Sequence, residues 1–389
     1  MLRSLGELDV ANKRVLVRVD YNVPLTEGHV ADDTRLRESL PTLEYLLARR
    51  AKIILVSHLG RPKGKVVPEL RLDPVARRLA ELLGRPVAKL DDCIGPEVQR
   101  ATSQMQPGDI LLLENVRFYP QEEANDEPFA RELARLADCY VNDAFGTAHR
   151  AHASTYGVAK FLPSAAGLLL EREVTMLSRA VDNPARPFLA IVGGAKIADK
   201  LGVLTDLIGK VDAFLVGGGV AFTLLKAQGA RVGSSLVDEK MLDEARQSLQ
   251  KAREHKTEII LPHDVCIVRD GEQAVAPARE IPDGWQGWDI GPQTVKLFQE
   301  RVMRAQTIVW AGPLGRFERP PFDTGTREVA QAIARSGAFA IIGGGDTAAA
   351  LQQSDLAHAK NIHFSTGGGA TLEFLGGRKL PPIEILRKG

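Results

Sequence analysis

No apolar run in this 389-residue chain approaches the roughly 20 residues that cross a bilayer, and the opening MLRSLGELDVANKR lacks the apolar core of a signal peptide. A cytoplasmic place is the expectation. Cysteine is scarce: Cys93, Cys139 and Cys266 are odd in number and far apart, which indicates neither a disulfide framework nor a zinc cluster and fits a reducing compartment. Neither sign of charge dominates, with Lys and Arg totalling 50 against 49 Asp and Glu for a net charge of +1. That balance argues against a basic field wrapped around nucleic acid or laid on a membrane, so any cationic site has to be local. The patterns G-x-G-x-x-G and G-x-x-x-x-G-K-[ST] are also missing, which weighs against a dinucleotide-dependent dehydrogenase and a P-loop ATPase. Low-complexity tracts and short-period repeats are absent too.

What is present is a long alternation of strand-length apolar runs and helical patterns. RVLVRVD, AKIILVS, DILLLEN and DCYVNDA fall in the first half, and PFLAIVG, DAFLVGG, TEIILP, TIVWAG and AFAIIGG in the second, with helices expected over Leu43 to Arg50, Ala76 to Leu83 and Glu328 to Ala334. Strands apolar nearly throughout belong to parallel sheets covered on both faces. The fold class is therefore α/β: two doubly wound, Rossmann-like parallel-sheet domains joined by a helix, with a cleft between them. At 44% hydrophobic residues the length suffices for two such cores. The boundaries read as residues 1–164 for the first domain, one amphipathic helix over 165–181 that could act as a lever, and 182–375 for the second, with the short tail 376–389 packing back on the first. Pro41 suits the first turn of a helix, which sets Arg35 near or before that helix's N-terminus, where the macrodipole disfavours a cation.

The chemistry divides between the halves. Four glycine clusters end apolar runs in the second: Gly193-Gly194, Gly217 to Gly219, Gly343 to Gly345 and Gly367 to Gly369. Each precedes a helix-forming stretch, and glycine lets a backbone approach phosphate closely at a helix N-terminus. Lys196 and Lys200 in GGAKIADK lie four apart and share a helix face, where two like charges repel unless an anion lies between them. Asp346, just past a glycine triplet, is either a helix N-cap or a carboxylate for the Mg²⁺ that accompanies a nucleotide. WAGPLGRFE offers a nucleoside an apolar face and the carboxylate of Glu318, or else is a buried Trp beside an ordinary turn. Trp285 and Trp288 read as loop packing.

The first half has no such glycines and instead sets Asp20, Asn22, Arg35, His58, Arg61, Arg117, His149, Arg150 and His152 at strand and loop ends. In doubly wound sheets the carboxyl ends of strands converge on the ligand. Guanidinium groups gathered there suit phosphate or carboxylate.

Taken in order, RVDYNVP, DDTRLR, SHLGRP, ENVRF, NDAFGTAHRAH, GGAKIADK, GGGVAFTLLK, DIGPQT, GPLGRFE, IIGGGDTAAAL and STGGGATLEFL resemble the signature of the phosphoglycerate kinases over essentially the whole chain. The resemblance implies that Asp20, Asn22, Arg35, His58, Arg61, Arg117 and Arg150 bind 3-phosphoglycerate or 1,3-bisphosphoglycerate. It implies that Lys196, Lys200, Gly219, Gly312, Glu318, Gly343, Gly344, Gly345, Asp346 and Thr347 serve Mg-ADP or Mg-ATP, with Glu318 on the ribose and Asp346 on the metal. It also implies a monomer. Three positions depart from the family pattern: Ala311 stands where asparagine is usual, Arg316 for valine and Tyr21 for phenylalanine, and Ala311 removes a side-chain amide from the nucleotide's surroundings. The expected reaction is reversible transfer of the acyl phosphate of 1,3-bisphosphoglycerate to ADP, in line and inside a closing cleft. Arg35 and Lys196 supply charge, and the N–H groups of Gly345 and Gly368 assist. Two rivals are a nucleotide-binding scaffold without catalysis, hinted at by Ala311, and an acyl-phosphate kinase for another carboxylate.

Overall fold

The computed structural model describes residues 1–352 and 359–388, with the side chains of Asp346, Ala348, Ala349 and Gln352 outside the description. Two units emerge: Met1–Thr175 together with the segment from Lys379 onward, and Met176–Arg378.

The first unit is built on six parallel strands: β1 Arg14–Arg18, β2 Lys52–Val56, β3 Ala88–Lys89, β4 Ile110–Leu112, β5 Cys139–Asn142 and β6 Ser164–Ala166, in spatial order 3-4-2-1-5-6. Alternation within β1 shows why it is central. Val15 and Val17 enter one core with Leu36, Leu43 and Leu46, whereas Leu16 enters the core on the opposite face with Val98, Phe129 and Leu133. Each such fully buried aliphatic side chain contributes about 2 kcal/mol of transfer free energy. A strand with both faces dry cannot alternate apolar and polar residues, which is what the sequence displays.

The second unit repeats the plan with β7 Phe188–Val192, β8 Ala213–Val216, β9 Glu258–Ile260, β10 Thr307–Ala311, β11 Phe339–Gly343 and β12 Ile362–Ser365. These strands are parallel, in order 9-8-7-10-11-12, so the order reverses between β7 and β10. Such a reversal opens a crevice beyond the strands' carboxyl ends. An addition the parallel reading omitted is an antiparallel sheet of Glu272–Pro277, Asp264–Arg269 and Gln286–Ile290. Its hairpin turns at Asp270-Gly271, both at positive φ (48° and 89°), the Asp-Gly signature of a tight turn.

Several boundaries move. The helix α1 runs Thr34–Ala48, so Pro41 lies inside it rather than in its first turn, and Arg35 occupies the first turn itself. The start is fixed earlier by Asp32, whose Oδ1 accepts from the Thr34 N–H at 2.9 Å. Helices expected from Ala76 and Glu328 span Asp73–Leu83 and Thr324–Ser336. The connecting helix α2 covers Leu168–Val181, because residues expected to open it form β6 against β5. The buried Asp143 then caps α2 from a remote loop, its Oδ1 accepting from the N–H of Leu169 at 2.9 Å and Leu170 at 3.3 Å. Gly167 is obligatory there, since a Cβ would overlap the Asp143 carboxylate.

The tail lies against the first residues of the chain, with an isolated antiparallel bridge between Leu2 and Arg387. The Arg3 N–H donates to the Leu386 carbonyl at 2.8 Å, Lys388 pairs with Glu7 at 2.7 Å, and Leu380, Ile383 and Leu386 are buried. Among the described residues no helix is long and apolar enough to cross a membrane.

Candidate active site

In the first unit the loops after β1, β2, β4 and β5 gather the cations. Arg35 in α1 donates through Nη1 to Asp20 Oδ2 at 2.7 Å, which offsets a cation at a helix N-terminus and fixes its aim. Asn22 Oδ1 accepts from the Gly60 N–H at 2.8 Å, while the Gly60 carbonyl accepts from Arg117 Nη1 at 2.9 Å, so one glycine ties two predicted ligands together. Asn115 aims Arg117 in turn: its Oδ1 accepts from the Arg117 N–H at 3.1 Å and its amide donates to the Leu59 and Leu70 carbonyls. Arg117 is 4% exposed, and its Nε makes no hydrogen bond among the described residues although Glu123 lies 3.4 Å away. Burial, with Arg18 and Arg150 nearby, lowers its proton affinity. Arg150 Nε donates to His149 Nε2 at 3.0 Å, and Arg61 is exposed. Asp20, Asn22, Arg35, His58, Arg117, His149 and Arg150 are thus brought together, with Arg61 one residue past Gly60.

Residues that sequence reasoning passed over lie behind this surface. Arg18 is fully buried in the central strand, its Nη2 3.1 Å from His58 Nδ1 and its Nε donating to Ser154 Oγ at 2.8 Å. Ser154 donates through Oγ and N to the two oxygens of Glu122 at 2.6 and 2.9 Å. Glu122 is fully buried, and burial raises its carboxyl above the usual range against the pull of Arg18 and Ser154. The signal was available: in RVLVRVD a charged residue occupies a position flanked by valines in a strand buried on both faces. His152 sits beside this network, its proton affinity dropped to about 3 by burial and by Arg117, Arg18 and Arg150.

The second unit arms its strand ends with backbone. Lys196 is the exposed N-cap of α3 Ile197–Leu207, and Lys200 lies half-buried one turn on. Lys200 Nζ reaches the glycine triplet, lying 4.0 Å from where a Gly344 Cβ would stand. Two kinds of glycine separate here. Gly193, Gly217, Gly218 and Gly312 pack loop on loop: a Cβ on Gly193 would overlap the Pro313 carbonyl oxygen, one on Gly312 the Gly193 carbonyl oxygen, and one on Gly218 would come 2.7 Å from Gly194 N. Hydrogen bonds seal the same loops, Gly193 N to the Ala311 carbonyl (3.0 Å), Gly218 N to that of Leu314 (3.1 Å) and Gly219 N to that of Gly194 (3.1 Å). Gly219 is buried under Leu236 and Ile197 at the start of α4 Gly218–Ala227. Gly345 and Gly368, by contrast, face open space at the starts of α5 Gly345–Gln352 and α6 Gly369–Leu375. Thr347 is fully buried. Its hydroxyl accepts from Gly312 N at 2.7 Å and donates to the Gly343 carbonyl at 3.2 Å, a strap between the two loops. The Asp346 carboxylate lies outside the described residues.

Over residues 5–378 the chain matches the family model described as phosphoglycerate kinase. The chain belongs to the phosphoglycerate kinase family. A curated phosphoglycerate kinase of Dictyoglomus turgidum is 53% identical over 389 residues, covering 99% of this chain and 98% of the relative, and one of Pelotomaculum thermopropionicum is 53% identical over 388. The solved phosphoglycerate kinase of Coxiella burnetii superposes with a TM-score of 0.88 at 42% identity, covering 99% of each chain. That of Pyrococcus horikoshii gives 0.88 at 33% identity, covering 99% of this chain and 98% of the other. The chain is therefore a kinase of the glycolytic transferase class EC 2.7.2.3, and the idle-scaffold reading is not favoured.

The departures from the phosphoglycerate kinase pattern have local physical accounts. The Tyr21 hydroxyl is buried but paired with Ser39 Oγ at 2.8 Å, so the added oxygen is satisfied. Arg316 stacks over the Trp288 ring at 4.4 Å, and Trp288 meets Phe322 edge-on at 5.0 Å, so a residue read as loop packing carries the Arg in place of valine. Ala311 closes β10 between Val192 and Gly343, and its side chain presents no polar atom. Asp289, also unremarked in the sequence, accepts from the Gly325 N–H at 2.8 Å, and a Cβ on Gly315 would overlap its carboxylate. It thus braces the GPLGRFE loop, where Glu318 is exposed.

Proposed function

We propose that the arginine and histidine surface of the first unit holds 3-phosphoglycerate or 1,3-bisphosphoglycerate, and that the open glycine loops of the second, with Lys196, Lys200 and Glu318, hold ADP or ATP. The observation that supports this most is the buried Arg117, which keeps an N–H without a hydrogen bond among Arg18, Arg35 and Arg150. Buried donors are almost always satisfied; Glu123 lies 3.4 Å from this Nε without completing a hydrogen bond, and an anion seated among the surrounding arginines is the further partner this cluster suits.

The reaction breaks the bond between the acyl oxygen and phosphorus of 1,3-bisphosphoglycerate and forms one from the β-phosphate oxygen of ADP, releasing the carboxylate. Attacking and leaving groups are both anionic oxygens, so no protein nucleophile or strong base is required. Catalysis reduces to alignment and positive charge around the transferring group. Arg35, steadied by Asp20, supplies that charge from one side and Lys196 from the other, and the N–H groups of Gly345 and Gly368 add fixed dipoles. Among the described residues no three His, Cys, Asp or Glu side chains could hold a metal by themselves. Mg²⁺ riding on nucleotide phosphates needs only one or two carboxylates, and Asp346 at the start of α5 suits that donor set. When bound, the ion neutralises phosphate charge. One ligand is assigned to each unit, so transfer requires the units to be drawn together, with water excluded.

We extend the reading to a cytoplasmic place, which the free cysteines fit, Cys93 and Cys139 being buried with thiols held above their ordinary range by burial, and to a monomer, which rests on the family resemblance alone. An assay with ATP, Mg²⁺ and 3-phosphoglycerate is expected to form ADP only with all components present. Nucleotide binding without turnover would return the reading to an idle scaffold. Small-angle scattering is expected to show a smaller radius with both ligands than with either alone, and an unchanged radius counts against the approach of the units.

A further inference from the structure

We infer that His58 and His149 are held as neutral imidazoles of opposite tautomers by Arg18 and Arg150, so that His58 offers an Nε2–H to the bound anion while His149 is the acceptor that aims the Arg150 guanidinium. Arginine has only donors. With Arg18 Nη2 at 3.1 Å, His58 Nδ1 must present its lone pair and carry the ring proton on Nε2. Arg18 cannot swing away, because it is fully buried in β1 and anchored by Ser154 Oγ and the Val19 carbonyl, with Ser154 held by Glu122. By the same logic Arg150 Nε, donating at 3.0 Å, takes the lone pair of His149 Nε2 and sends that proton to Nδ1, a buried atom without a hydrogen bond among the described residues.

The surroundings agree. Facing His58 are Arg18, Arg35, Arg117 and His152, with the carboxylate of Asp20 opposing them, its Oδ1 3.9 Å from Nδ1. A second ring proton would point one cationic donor at another, and burial with these cations holds His58 well below its ordinary range. Around His149, burial, Arg150 and Arg117 outweigh Asp20 and the Gly146 carbonyl, again lowering the ring. Neither histidine therefore gains charge in the range where a free imidazole would, and the anion's affinity owes nothing to imidazolium. Arg18 thereby becomes a positioning residue that acts through His58.

The functional half of this rests on the first-unit site proposed above, but the tautomers do not. Two-bond proton–nitrogen correlation spectra of the ligand-free, ¹⁵N-labelled full chain, assigned with His58→Gln and His149→Gln, read them directly. The expected result is an Nε2–H pattern for His58 and an Nδ1–H pattern for His149, both unchanged from about pH 5.5 to about pH 8. Titration of either ring near its ordinary value, or both rings in the same tautomer, would overturn the inference. Arg18→Met is expected to release the His58 tautomer into a mixed Nδ1–H and Nε2–H pattern while His149 stays fixed, and Arg150→Met on its half-buried loop the reverse; a histidine whose tautomer pattern is indifferent to loss of its arginine also overturns it. Adding 3-phosphoglycerate should shift the His58 Nε2 resonance. No shift, with the tautomers as stated, sinks the site assignment and leaves the lock intact.

Discussion

In the first unit the loops that follow the strands carry long cationic side chains, and in the second they carry glycines. Both stand on six-stranded parallel sheets, but in one order 3-4-2-1-5-6 and in the other 9-8-7-10-11-12. In the proposed assignment a small acid with two anionic groups meets side chains that reach and fork, each with a brace to fix its aim: Asp20 for Arg35, Gly60 and Asn115 for Arg117, His149 for Arg150. In the same assignment a longer ligand with a chain of phosphates would meet backbone N–H groups at helix starts, which come already fixed but only where no Cβ intervenes. The difference teaches that preorganisation costs buried polar networks in one unit and tight backbone packing in the other.

The largest expected effect tests whether the two sets of groups act on one reaction. Replacing Lys196 or Arg35 by Ala should cut kcat by on the order of 10²-fold or more, as loss of one transition-state donor does, with little change in melting temperature. Turnover close to that of the parent chain in either variant removes that residue from the charge assignment. Next comes the division among glycines. Gly193→Ala, whose Cβ would overlap the Pro313 carbonyl oxygen, should destabilise the second unit by about 1–3 kcal/mol in denaturant unfolding. Gly345→Ala, with nothing among the described residues within 4 Å of the added Cβ, should stay within about 1 kcal/mol and act on nucleotide affinity instead. Equal losses of stability would erase the distinction between packing and ligand-facing glycines.

The smallest effect is in pH dependence and separates the units again. Burial raises Asp143 of the first unit to about 6 and Asp289 of the second to about 7, both from 3.8. The opposing influences at Asp143 are the Thr42 hydroxyl, the Leu170 and Leu169 N–H groups and Arg172; at Asp289 they are the N–H groups of Gly325 and Ile290, while Asp323 adds to the rise. Because the folded chain keeps these protons after the unfolded chain has lost them, each contributes most below about pH 4 and less as pH rises, at about 1.4 kcal/mol per pH unit. The loss is complete near pH 6 for Asp143 and near pH 7 for Asp289. Calorimetry of Asp289→Asn should lose the slope between those two values, whereas Asp143→Asn should keep it. The same slope in both variants would show that the carboxyls do not titrate where their surroundings place them.

Much of the plan was legible in the chain. Apolar runs on a doubly wound rhythm gave the two sheets, because a strand covered on both faces has no polar positions to spend. The motifs marked the residues that the fold brings to the strand ends, arginines in one unit and glycines in the other, where phosphate approach would admit glycine and a planar anion would favour guanidinium. The hairpin at Asp270-Gly271 was signalled but lay among runs of similar apolarity, and the start of α1 was misplaced because Pro41 competes as a first-turn residue until packing decides. Arg18, Glu122 and Ser154 could not be linked from the sequence at all.

What the order of residues determined by itself was therefore periodicity, punctuation and the chemical types at strand ends, all consequences of local sterics and of burial averaged over a few residues. What only the tertiary structure decided was which buried donor meets which acceptor. It is the folded contact that points Arg18 at His58, seats Asp143 beneath α2 and presses Gly193 against Gly312, because hydrogen bonds and steric exclusion act over about 3 Å between groups that lie far apart along the chain.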